Sequence, residues 1–71
     1  MNQPDFFSYV VYDHPKDFPH CWVARKFNWH MPMDEILVSP TLEALREIIP
    51  FSTCMQRHPD DDPVIYEIWI P

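Results

Sequence analysis

The chain contains no glycine among its 71 residues. Left-handed turn conformations, which glycine makes easy, are therefore costly here, and a glycine-rich loop that cradles phosphate is excluded. Nine prolines predict connections made of stiff, extended or type I segments instead. Cationic side chains are also scarce. Five Lys and Arg face eleven Asp and Glu, giving a formal charge of −6, which disfavours direct nucleic-acid binding because phosphate contacts need a basic surface. No apolar run approaches membrane-spanning length, and Met1 to Asp5 carries no cationic region followed by an apolar one. The expectation is a soluble cytoplasmic protein. In that compartment the two cysteines, Cys21 and Cys54, are expected to stay thiols rather than pair.

What the chain does have is aromatic side chains. Five Phe, three Tyr and three Trp supply large buried areas from few positions, as a single small domain covering residues 1–71 needs. The stretch from Ser39 to Pro50 reads as an amphipathic helix, with Ser39 as N-cap, Pro40 as first helical residue, Thr41 as the rival cap and Pro50 as the stop. Leu42, Leu45 and Ile49 recur on one face, flanked by Ala44 and Ile48, while Glu43, Arg46 and Glu47 point away. So short a helix needs an apolar surface beneath it.

Strands are expected around it. After a polar lead with a frayed tip, Phe6 to Asp13 forms the first, with Phe6, Ser8, Val10 and Tyr12 facing opposite to Phe7, Tyr9 and Val11. A proline-containing connection follows, with Phe18 tucked against the sheet edge. Cys21 to Trp29 is the second strand. Its Cys21, Val23, Phe27 and Trp29 oppose Trp22, Ala24, Lys26 and Asn28, and Arg25 interrupts the apolar side. His30 to Asp34 reads as a loop, Glu35 to Val38 as a short third strand, Phe51 to Arg57 as an edge strand or loop, and His58 to Pro63 as an acidic loop. Val64 to Ile70 is apolar enough to be a central strand. The order β-β-β-α-(β)-β predicts an α+β fold, an antiparallel sheet of four to five strands with one helix packed on one face. The other face then has nothing in the chain to cover it.

The residues suited to chemistry do not assemble into a motif. His14, His20, Cys21, His30, Cys54 and His58 lack the local spacing of a zinc site, so no metal or other cofactor is expected. No nucleophile and base can be assigned, and the expectation is a protein without catalytic residues. Asp60, Asp61 and Asp62 lack the alternating ligands and turn glycine of a calcium loop; they read either as a solvated turn or as a rigid acidic tip that meets Lys or Arg of another protein. Together with Glu43 and Glu47 they are the candidate partner-binding residues, forming a negative strip that could fill a nucleic-acid-binding groove as a DNA mimic.

The strings Tyr12-Asp13-His14-Pro15, Asp17-Phe18-Pro19, Val23-Ala24-Arg25, Thr41-Leu42-Glu43-Ala44-Leu45-Arg46 and Asp61-Asp62-Pro63 through Trp69 resemble short bacterial and phage-borne proteins. That resemblance brings no active residues with it. In size, acidity and α+β plan the chain also resembles anti-CRISPR proteins, which implies a non-enzymatic inhibitor in a bacterial host cytoplasm that binds a Cas effector subunit with a basic surface and blocks target DNA access. The alternative is a bacterial regulatory or housekeeping module, monomer or weak homodimer, that self-associates through the uncovered aromatic sheet face, with Trp22 or Trp69 central.

Overall fold

A computed structural model describes residues 3–71; the tip of the polar lead over residues 1–5, expected to be frayed, lies outside the described residues. The elements are β1 (Phe7–Asp13), β2 (Trp22–Asn28), β3 (Met31–Ser39), α1 (Leu42–Ile48), β4 (Thr53–Gln56) and β5 (Ile65–Ile70). The fold is α+β. All five strands form one antiparallel sheet in the order β3-β2-β1-β5-β4, and the single helix lies on one face of it. After β3, at one edge, the chain must reach β4 at the other, and α1 makes the crossing.

The alternation read from the sequence decides which face is covered. Tyr9 and Val11 lie beside Ala24 on β2, and these three, with Leu45 and Ile49, form the buried core. Leu37, Leu42, Phe51, Trp22 and Trp69 pack around it, and the rings of Phe51 and Tyr9 stand 5.1 Å apart. The residues between them, Ser8, Val10 and Tyr12 on β1, Val23, Arg25 and Phe27 on β2, and Ile68 on β5, therefore face the side without the helix.

Three expectations are corrected: the cap, the start of the helix and the loop at His30 to Asp34. Thr41, not Ser39, caps the helix: its backbone is extended and its Oγ1 accepts from Ala44 N–H at 3.2 Å, so α1 spans seven residues rather than beginning at Pro40. Ser39 instead ends β3, buried opposite Trp22. β3 itself runs for nine residues and takes in Met31 to Asp34, which the sequence placed in a loop because Pro32 interrupts it; at an edge strand a missing N–H is tolerated. β5, expected to be central, is an internal strand between β1 and β4. β4 does form, as a short edge strand.

Prolines and two unusual residues build the turns. Cys21 N–H donates to Phe18 O, Asp61 N–H to His58 O and Ile65 N–H to Asp62 O, which places Pro19, Pro59 and Pro63 each at the second position of a turn, where their fixed φ fits. Where a left-handed residue is nevertheless needed, the chain uses His14 (φ 48°) and Trp29 (φ 54°). Trp29 and His30 form the two-residue connection between β2 and β3, so a tight hairpin exists without glycine.

Candidate functional site

The covered face holds one fully buried charge, the lone glutamate of β5. Glu67 sits opposite Val11 in the sheet with 1% of its surface exposed. Arg46, expected to point away from the sheet, bends back from α1 and grips it with both ends of its guanidinium, Nε to Oε2 at 3.0 Å and an Nη to Oε1 at 2.7 Å. Trp69 Nε1 adds a third bond to Oε2 at 2.7 Å. Burial pushes the Glu67 carboxyl upward, but hydrogen bonds from Arg46, Trp69 and Cys54, with the charge of Arg46, outweigh it and hold the carboxyl below its ordinary range. Burial, followed by the neighbouring Glu67 charge, raises the Cys54 thiol, which is a poor nucleophile as a result. This cluster ties helix to sheet.

The helix-free face is shaped differently. A half-open groove of about 360 Å³ runs along β1, walled by Val10, Tyr12, Phe27, Trp29, Ile65 and Ile68. Ser8 forms its floor, and His30 and Asp61 border it. A smaller hollow of about 160 Å³ continues past Tyr12, between Val23, Arg25, Asp17 and Phe18. Phe18 thus sits over this face rather than at the sheet edge. Arg25, the residue that broke the apolar pattern, turns its guanidinium toward β3 and donates to Met33 O at 2.7 Å. Its charge is still felt at the Tyr12 hydroxyl.

Both ends of the groove are fixed by specific contacts. At one end Trp29 is pinned by the N-terminal segment: its backbone N–H donates to Phe6 O at 2.8 Å, its indole N–H to Pro4 O at 2.8 Å, and its ring lies 5.0 Å from that of Phe6. Asn28 completes the clamp by accepting from Phe6 N–H and donating to Asp5. At the other end stands the triple aspartate. Asp61 Oδ2 accepts from His58 N–H at 2.9 Å, Asp62 Oδ1 accepts from Val64 N–H at 3.0 Å, and Arg57 donates to the backbone oxygen of Asp61 at 3.2 Å. With two proline turns in succession, the tip is a built structure.

The candidate binding residues do not all share one surface. Asp61 borders the groove on the helix-free face, whereas Glu43 and Glu47 lie exposed on α1, which packs on the opposite face. The structure therefore brings Asp61 to the groove, with Asp60 and Asp62 exposed beside it in the same loop, and leaves Glu43 and Glu47 behind the sheet. Trp22 and Trp69 also belong to the covered side, packed against the core, and Trp29 takes the place on the open face that the sequence reading gave to them. Strand alternation could have found this, because Trp22 and Trp69 fall in step with Ala24 and Glu67.

Among the described residues no three His, Cys, Asp or Glu side chains converge in a manner that could hold a metal ion, and no helix is long and apolar enough to cross a membrane. Comparison with protein-family models, with curated proteins and with solved structures finds no match.

Proposed function

We propose that this chain is a non-enzymatic binding protein whose helix-free sheet face, with the Asp60 to Asp62 tip at its end, engages a protein partner with a basic surface. One observation carries the reading: four of the five Lys and Arg side chains are engaged by contacts within the chain, while the Asp60 and Asp62 carboxylates stand exposed. Arg46 is held by Glu67, Arg25 by Met33 O, Arg57 by backbone oxygens of its own loop, and Lys26 lies over the Phe7 ring, 3.7 Å from Glu35. Of the five cations only Lys16, on the exposed connection after β1, falls outside these contacts. A partner therefore meets carboxylates beside an apolar groove, which is an attractive combination for Lys and Arg.

The narrower form of the proposal is a phage or mobile-element inhibitor, an anti-CRISPR that blocks target DNA access to a Cas effector. Size, acidity and the α+β plan support it. Its test is a tagged capture from bacterial lysates containing different CRISPR systems, washed at low and at moderate salt. Recovery of a Cas protein that loses DNA binding as this chain is added supports the inhibitor; recovery of only metabolic complexes overturns it. Self-association is the second reading, favoured by the apolar walls of the groove. Sedimentation across concentrations separates the two, because a module closed by its own copy dimerises and an inhibitor of another protein stays monomeric.

A further inference from the structure

The groove on the helix-free face has two unlike ends. From Ser8 to Tyr12 it follows four residue steps of β1, about 13 Å at the rise of an extended strand. Phe27 and Trp29 wall the Ser8 end, and Asp61 borders the Tyr12 end. We infer that the groove is a peptide-recognition site for an extended segment of the partner that carries a Lys or Arg at the Asp61 end and an apolar side chain at the Trp29 end. The inference rests on the reading of the chain as a binder of basic partners and names the element that is bound.

Charge and shape both select this occupant. The loop from Arg57 to Asp62 sets one arginine against three aspartates, so its field is negative even with the Arg57 head nearby. Asp61 Oδ2 is taken by His58 N–H, which fixes the carboxylate and leaves Oδ1 to accept from a cation without reorganising. Burial raises the Tyr12 hydroxyl, against the pull of Arg25 and with a further push from Asp62, so the phenol stays neutral and presents an uncharged ring beside that cation. Val10, Ile65 and Ile68 line the way between the two ends and suit the methylene stem of Lys or Arg. An anionic or wholly apolar segment would leave Asp61 facing repulsion or an unpaired, desolvated carboxylate.

The probes are three acetylated, amidated tetrapeptides, Lys-Ala-Leu-Ala, Glu-Ala-Leu-Ala and Lys-Ala-Ser-Ala, titrated to about 10 mM while the amide and indole NMR signals of the full chain are followed. The lysine–leucine peptide should shift Val10, Tyr12, Asp61, Ile68 and the Trp29 indole, and both altered peptides should bind about threefold to fivefold more weakly or not at all. Asp61→Asn, which keeps the bond to His58, should weaken the lysine peptides by a similar factor and leave the spectrum otherwise folded. Equal binding of the glutamate peptide, shifts centred on α1, or no shift with any peptide would overturn the assignment. If the groove fails while a basic partner is still captured from lysate, the wider reading stands without it; if the peptide binds and no basic partner is captured, the wider reading falls and the groove remains.

Discussion

At the scale of single residues, two positions show how this chain manages without glycine. Trp29 holds a left-handed backbone that costs a side-chain-bearing residue about 1–2 kcal/mol, and its contacts with Pro4 and Phe6 offset that cost. Removing the ring removes the compensation. Trp29→Ala should therefore destabilise the fold by about 1–2 kcal/mol, and Trp29→Gly should be the milder of the two by about 1 kcal/mol because it relieves the backbone. Urea unfolding of both variants checks this, and an alanine variant more stable than the glycine one would show that the backbone at Trp29 carries no strain. Thr41 is the second test. Thr41→Ala leaves Ala44 N–H without its side-chain acceptor and should cost about 1 kcal/mol, a fall of about 4–8 °C in Tm for a domain of this size. Sequence alone favoured Ser39 as the cap, with Thr41 as its rival. What decided between them was the length of β3, which runs through Ser39 and leaves only Thr41 free to turn the chain.

At the scale of elements, α1 is a seven-residue helix that could not persist alone, and two attachments hold it. The first is the apolar stripe, of which Leu45 and Ile49 are buried and Ile48 is left half exposed. The second is the Arg46–Glu67 pair, which spans from helix to β5. Arg46→Ala would strand a buried carboxylate; a fully buried pair so broken loses about 3–5 kcal/mol, and here the partial exposure of Arg46 reduces the expected loss to about 2–3 kcal/mol. Replacing both, as Arg46→Met with Glu67→Leu, should restore most of it. The same pair sets an acid limb. Because the folded Glu67 carboxyl lies below its unfolded value, its contribution is full above the ordinary carboxylate range and is lost as pH falls from about 4 through the lower folded value. Glu67→Gln should flatten stability against pH in that window, and an unchanged acid limb would assign it to other carboxylates. The stripe was legible because its period and the Pro50 stop agreed; the pair was not, since a lone glutamate in a strand and an arginine on a helix look like ordinary surface charges until the sheet order brings them together. The β2–β3 hairpin was hidden for a related reason. Its usual signal is glycine or asparagine, and the chain supplies tryptophan and histidine.

At the scale of the whole molecule, one helix and five strands leave one sheet face covered and the other grooved, and the charges divide accordingly. The element order and the α+β plan could be read from strand alternation and a single helical stripe. Which loop and helix carboxylates share a surface could not, because that depends on how the elements pack: Asp61 reaches the open face while Glu43 and Glu47 stand behind it. Reversing Asp60, Asp61 and Asp62 to Lys should weaken partner binding several-fold at low salt and reduce its salt dependence, measured by calorimetry at two ionic strengths, whereas reversing Glu43 and Glu47 should do less. The most direct measurement is methyl cross-saturation NMR of the chain in complex with its captured partner. If the helix-free face is the binding surface, saturation passes to the methyls of Val10, Ile65 and Ile68 and spares Ile48, which is exposed on α1. Saturation at Ile48 with none at Ile68 would place the partner on the helix side and contradict the assignment of function to the groove.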